Sequence, residues 1–294
     1  MEQDARQFGQ FHPIINGVYF LAVLIFAMFF LHPLLQGIAA ACVLCYLVIL
    51  KGLRQMLSTA LFLLPVVAVT AILNPVLNDA GTTVLATLPG GKHLTKEAFL
   101  YGISSGVMLA TVICWFACLH QLMTSDKLMY LFGKLLPSLS LVFSMTLRFV
   151  PRFRVQLSAV LAAQKNIGRG VQRGSVFNRL KQGIAILSMM ITWSFEHALD
   201  TADSMRSRGY GLGGRTSFSP FRFTARDRST LLFLVVLIVW IAVTFCVGGF
   251  GISFFPTIQL KRLGVWGVMG AFAYFLLCAL PLITELVEVI RWKQ

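Results

Sequence analysis

The chain has 294 residues; 57% are hydrophobic and only 12% are charged, yet 25 Lys and Arg stand against 11 Asp and Glu, a net charge of +14. A soluble domain carries about 25% charged residues, so an ordinary soluble protein is excluded, and 25 phenylalanines exclude a disordered one. The composition is that of a membrane protein whose few charges are mostly positive.

The first residues, MEQDARQFGQ, are polar and mixed in charge, and no short apolar region leads from them to a small-residue cleavage site, so they do not read as a secretory signal. A spanning helix needs roughly 20 mostly apolar residues. Residues 14–50 are almost uncharged, too long for one span, and interrupted by His32-Pro33. Proline lacks a backbone donor and clashes with the preceding turn, so two spans are expected, 14–31 and 34–50. A third covers 56–73, ended by Asn74-Pro75, and a fourth covers 100–123. The fifth, 231–247, lies between Arg228 and Gly248-Gly249; the sixth, 264–289, precedes Arg291 and Lys293. The expected fold is all-α and polytopic, with six spans. Residues 1–123 hold four of them, 124–229 form a cytoplasmic or interfacial region, and 230–294 hold the last two. The six cysteines, Cys42, Cys45, Cys114, Cys118, Cys246 and Cys278, lie in apolar stretches and read as small hydrophobes.

Residues 124–229 hold 16 of the 25 basic residues. With both termini cytoplasmic, 21 basic residues lie inside and four outside, namely Lys92, Lys96, Lys261 and Arg262. The positive-inside rule favours that orientation. Without the middle segment the ratio is only five to four, so that segment carries the argument.

The middle segment is too long for an unstructured loop, and its pattern is helical. Phe177, Leu180, Ile184, Leu187, Ile191, Phe195, Leu199, Ala202 and Met205 recur every three or four residues, one apolar stripe along a helix. A helix over 176–206 would be about 45 Å long at 1.5 Å per residue. Its charges, including Arg179, Lys181, Glu196, Asp200, Asp203 and Arg206, keep it out of lipid. A shorter helix, 152–168, carries Phe153, Leu157, Val160 and Ile167. Residues 135–150 are apolar but short, start beside Pro137 and contain Arg148. An Arg at mid-bilayer costs about 2.5–3.5 kcal/mol, so this piece is expected at the membrane–cytosol boundary, with further spans as the alternative.

The two helices end alike. One closes on Gln164-Lys165-Asn166-Ile167-Gly168-Arg169-Gly170, the other on Asp203-Ser204-Met205-Arg206-Ser207-Arg208-Gly209-Tyr210. Glycine takes the left-handed conformation that ends a helix, and Arg beside it sits at the negative end of the helix dipole. Such a tip also projects a fork of donors that suits a carboxylate on another protein.

The run Leu136-Pro137-Ser138-Leu139-Ser140-Leu141 through Leu147-Arg148-Phe149-Val150-Pro151, then Ala163-Gln164 leading to Arg169-Gly170, then Ala202-Asp203-Ser204-Met205 leading to Arg208-Gly209-Tyr210, resembles the transmembrane T component of energy-coupling factor (ECF) transporters. That family includes the membrane component of cobalt and nickel uptake systems. The resemblance implies a polytopic helical scaffold in a prokaryotic plasma membrane, with long cytoplasmic coupling helices seated on a pair of ABC-type ATPases. A small membrane S component would bind the vitamin or metal, and the scaffold would pass ATPase motion to it. Arg169, Gly170, Arg208 and Gly209 match the ATPase-docking motif. Arg148 and Pro151 match the Arg-Phe-Val-Pro block, and Gln164, Asp203 and Tyr210 flank the motifs. The stripe Phe177, Leu180, Ile184, Leu187, Ile191 and Phe195 would face the S component. The resemblance implies no cofactor on this chain; ATP and Mg belong to the partner ATPases. Gly168 and Ser207 stand where the family often has Ala, and Gly168 is expected to weaken the helix end by up to ~1 kcal/mol relative to Ala.

Other functions find less support. The sequence has no G-x-x-x-x-G-K-[ST] motif; its nearest fragment, Pro89-Gly90-Gly91-Lys92-His93, lacks the spacing. An intramembrane enzyme would need clustered ionisable groups, and His120, Glu285 and Glu288 are the ones available. Glu196, Asp200 and Asp203 read as a solvated face rather than a metal site. A stand-alone permease would call for matching halves with broken helices, and no internal repeat is visible. Nucleic-acid binding is disfavoured by the dispersed basic residues; anionic lipid is compatible with them.

Overall fold

Two histidine–proline pairs set where the first apolar helices begin. In the computed structural model of the chain, residues 7–78, 80–87, 93–135, 137–168, 175–212, 221, 223–260 and 264–291 are described. The elements in order are α1 (Gln7–Gln10), α2 (Pro13–Phe29), α3 (Pro33–Lys51), α4 (Leu53–Leu77), β1 (Val84–Thr87), β2 (His93–Thr95), α5 (Lys96–Leu122), α6 (Ser125–Leu135), α7 (Pro137–Asn166), α8 (Val176–Ser207), α9 (Ala225–Cys246), β3 (Ile252–Ser253), β4 (Gln259–Leu260) and α10 (Val265–Arg291). They divide into two compact units: Met1–Leu128 with Phe221–Gln294, and Met129–Pro220.

The first unit is a helical bundle. Helices α3, α4, α5, α9 and residues Val265–Val287 of α10 are long and apolar enough to cross a membrane, and α2 is a shorter apolar helix. Proline is harmless at the first helical position, where its missing N–H has no intrahelical partner. Pro13 and Pro33 both occupy the start of a helix, and each preceding histidine caps it: His12 Nδ1 accepts from Ile14 N at 3.3 Å and His32 Nδ1 from Leu34 N at 3.4 Å. Burial lowers the pKa of His32, which favours the neutral ring that can accept this bond. The chain then turns from α3 into α4 through a single residue, Gly52, at φ +81°. The third span does not stop at Asn74-Pro75 as expected. Helix α4 runs on to Leu77 with Pro65 and Pro75 inside it. Packing in a bundle tolerates a proline that an isolated helix would not.

Helices α4 and α5 approach closely at Gly102 and Gly106. A Cβ on Gly102 would lie 2.8 Å from Thr70 O and 3.0 Å from Ala71 Cα, and one on Gly106 would lie 2.9 Å from Val67 Cα. Small residues four apart let two backbones meet, and here they do so face to face with α4.

The core is aromatic. Phe8, Tyr19, Phe20 and Trp115 are fully buried and pack edge to face, with centroids 5.0–6.4 Å apart. Tyr274 closes the other end against Phe26 and Phe30. All six cysteines are free, and Cys42, Cys114, Cys118 and Cys278 are buried. At the start of α9 the Thr224–Asp227 capping box closes, with Asp227 Oδ2 accepting from Thr224 N at 3.0 Å. The same carboxylate accepts from His12 N at 3.3 Å, tying the N-terminal segment to α9. Lys127 Nζ donates to Gly9 O and to Leu122 O, the latter at 2.9 Å, so it holds α1 against the end of α5.

Among the described residues, the strands form two small antiparallel hairpins, β1–β2 and β3–β4. Glu97, in the first turn of α5, accepts from Thr83 N and Oγ1 and from Thr82 Oγ1. Thr82 Oγ1 also donates to Pro256 O at 3.5 Å, and Tyr101 packs on Phe254 and Phe255. These contacts bring the α4–α5 and α9–α10 connections to one end of the bundle.

The second unit is built on α7 and α8. Residues 135–150 and 152–168, expected as two helices, form one. Helix α7 runs from Pro137 to Asn166 straight through Pro151. Pro151 removes one donor, which leaves the Leu147 carbonyl without its helical partner. The helix nevertheless continues, with Phe149 and Phe153 on either side of the proline packed against each other at 5.9 Å.

Candidate functional site

The two helix ends differ in a way the matching Arg-Gly pairs conceal. At the end of α8, Arg208 is the C-cap (φ −83°, ψ 10°) and Gly209 follows at φ +77°. Gly209 N donates to Arg206 O at 3.0 Å and Tyr210 N to Met205 O at 3.0 Å. This pair of bonds is the Schellman pattern, which satisfies carbonyls a helix end leaves open. Arg208 therefore leaves the helix from a closed, hydrogen-bonded turn.

At the end of α7 the left-handed residue is Gly168, at φ +80°. Gly168 N donates to Lys165 O at 3.1 Å. Gly168 thus precedes Arg169, whereas Gly209 follows Arg208. The expectation that Gly168 weakens the helix relative to Ala is overturned. The residue lies beyond Asn166, in a conformation costing a side-chain-bearing residue roughly 1–2 kcal/mol, so glycine is the favourable choice there. Arg169 and Gly170 themselves lie outside the described residues.

Contacts between α7 and α8 run antiparallel. Phe149 stacks on Trp193 (5.5 Å, 27° between planes), and both rings pack on His197 at 5.9 and 5.4 Å. Arg152 Nη1 lies 3.2 Å from His197 Nε2. Arginine can only donate, so in this contact His197 Nε2 is the acceptor. Farther along, Gln164 Nε2 reaches Met189 Sδ at 3.6 Å. Beside the aromatic stack lies a groove of about 880 Å³ lined by residues that include Arg148, Arg152, His197, Asp200, Met205 and Arg208. The structure thus brings Arg148 and Arg208 to one groove. Pro151 stands beside it on α7, and Asp203 and Tyr210 are exposed on and just after the last turn of α8.

Arg152 is a groove residue the sequence did not single out, and His197, next in the chain to Glu196 of the face read as solvated, was not expected as its partner. A signal existed for the first, because Arg148 and Arg152 are four apart and share a helix face. Nothing local points to His197 as its partner, since the pairing depends on how two helices meet.

The apolar stripe of α8 is open. Phe177 is 74% exposed and Phe195 68%, with Leu180, Ile184, Leu187 and Ile191 exposed between them. The buried residues of α8 are Ile186 and Met190, on a different face. Among the described residues, no three His, Cys, Asp or Glu side chains gather as a metal site.

The family model for the cobalt transport protein CbiQ matches residues 14–218. The chain belongs to the CbiQ cobalt transport protein family. Similar proteins include the energy-coupling factor transporter transmembrane protein EcfT of Lactococcus lactis, 34% identical over 107 residues, 35% of this chain and 40% of that one. The protein of the same description from Bacillus selenitireducens is 27% identical over 196 residues, covering 62% of this chain and 68% of its own. That from Listeria innocua is 36% identical over 100 residues, 34% and 38% of the two chains. The match to the Lactococcus and Listeria relatives thus covers well under half of their length. Family membership and apolar helices of spanning length together place the chain among membrane components of transport systems.

Proposed function

We propose that the chain is the transmembrane scaffold of an ECF-type importer, a non-catalytic subunit. It couples ATP hydrolysis by two ABC-type ATPase subunits to release of substrate, a vitamin or transition metal, from a separate S component. ATP and Mg act on the ATPases, and this chain holds no cofactor of its own. Both termini face the cytoplasm. The region 124–229 is the cytoplasmic coupling element, set between transmembrane regions 1–123 and 230–294.

The observation that carries this reading is the end of α8. A closed turn presents Arg208 at the tip of a 32-residue helix whose apolar stripe is exposed. Large uncovered apolar surface marks an interaction site, and a guanidinium on a fixed turn suits a partner carboxylate. Arg169, next to the left-handed Gly168, is the second docking arginine, with Gly170 and Gly209 beside the pair. Arg148, Pro151, Gln164, Asp203 and Tyr210 shape and support the two helices. The stripe from Phe177 to Phe195 receives the S component.

Losing one partner of a desolvated Arg–carboxylate pair costs about 2–5 kcal/mol. Arg208→Glu is therefore expected to abolish co-elution with the ATPases and substrate uptake, and Arg169→Glu to weaken both. Normal uptake with an intact complex in the double charge reversal would refute the docking role.

A further inference from the structure

We propose that the groove between α7 and α8 binds the headgroup of an anionic phospholipid. Three guanidiniums, from Arg148, Arg152 and Arg208, line it against one carboxylate, Asp200. His197 Nε2 lies 3.2 Å from Arg152 Nη1 and holds that guanidinium at the groove. Among the described residues, the side chains of Arg148 and Arg208 have no hydrogen-bond or ion-pair partner. Clustered arginines with one acid between them recognise phosphate, to which each guanidinium offers a planar fork of donors. Arg148 and Arg152 stand one turn apart on α7 and point the pair at a single ligand.

The surroundings select a lipid over a free anion. Met145, Phe149, Ala198, Ala202 and Met205 line the same groove. Beside it, α7 exposes Val142, Phe143 and Val150. Helix α7 carries no charge from Ser138 to Leu147, and its cations then begin with Arg148, Arg152 and Arg154. An uncharged stretch followed at once by basic residues is the pattern of a segment at an anionic membrane surface. An amphiphile satisfies both halves, its phosphate on the guanidiniums and its acyl chains on the apolar side chains. A free phosphate leaves the apolar half uncovered. Arg208 also belongs to the proposed docking turn, so the test rests on Arg148 and Arg152, which line the groove from α7.

The test is native mass spectrometry of the full purified chain in mild detergent, titrated with phosphatidylglycerol or phosphatidylcholine. The wild type is expected to retain phosphatidylglycerol several-fold more tightly, and millimolar inorganic phosphate is expected not to displace it. Arg148→Gln with Arg152→Gln should remove the preference. Arg148→Lys with Arg152→Lys should keep it, as should Lys181→Gln, an exposed α8 position outside the groove lining. Equal retention of the two lipids, displacement by phosphate, or a preference that survives the glutamine pair would overturn the proposal. So would finding an acidic polypeptide in place of the lipid, lost in the glutamine pair. If the glutamine pair does not purify, the wild-type preference and its response to phosphate decide the matter.

Discussion

The bundle and the helical pair expose apolar side chains for different reasons. Helix α4 leaves Leu57, Leu61, Phe62, Val69 and Ile72 exposed, but it carries no charge from Gln55 to Asn78. A bilayer covers such a surface. Helix α8 exposes Phe177, Leu187 and Phe195 yet carries Arg179, Lys181, Glu196, Asp200, Asp203 and Arg206. Lipid cannot take that helix without burying charge. In the bundle, Trp115, Tyr19 and Phe20 are fully buried and α9 is capped by its own Asp227. In the pair, α8 buries little beyond Ile186 and Met190. The exposed surface of α4 suits a bilayer, and the charged neighbours of the α8 stripe do not.

The sharpest way to break that comparison is to place charge on the stripe. Leu187→Glu with Phe195→Glu puts two carboxylates where a partner is expected. An uncompensated buried charge costs about 3–5 kcal/mol, at least ~100-fold in affinity. Complex recovery on size exclusion should collapse while the thermal melt of the chain alone is unchanged. A lower melt in the isolated chain would mean that the stripe is already covered.

The next effect belongs to the bundle. Gly106→Leu drives a side chain into the backbone of α4 at Val67. Overpacking costs typically about 1–3 kcal/mol, and here the obstacle is main chain. A lower melting temperature in detergent and a smaller monodisperse yield are expected, because no partner can relieve that clash.

Phe149→Ala tests the pair from within. Aromatic contacts contribute about 0.5–1.5 kcal/mol beyond the area they bury, and Phe149 touches both Trp193 and His197. Faster amide exchange along α7 and α8, with the bundle unaltered, is the expected outcome. Gly168→Ala is the mildest change. Its φ of +80° makes alanine unfavourable by ~1 kcal/mol, confined to the last turn of α7, where exchange at Ile167 and Gly168 should rise. Slower exchange there would place Gly168 inside the helix after all.

Much of the bundle was legible in the sequence. The expected spans fall on α2, α3, α4, α5, α9 and α10, with the largest boundary difference at the start of α9, Ala225 against an expected 231, because long uncharged runs have one stable form in lipid. The break at His32-Pro33 was readable for a local reason, proline at a first helical position. Pro75 and Pro151 misled for the opposite reason, since a helix held by neighbours can carry a proline inside. The approach of α4 at Gly102 and Gly106, and the Arg152–His197 contact, depend on residues far apart in the chain. At the helix ends the glycines were visible, but that Gly168, ahead of the Arg-Gly pair, turns left-handed is set by the backbone and not by the pattern.

The account rests on the helical pair being a docking element, and extraction of the chain from its native membrane in mild detergent tests that most directly. A pair of ATP-binding chains and one small membrane protein should co-elute with the wild type. A chain that elutes alone and still transports or catalyses by itself would contradict it.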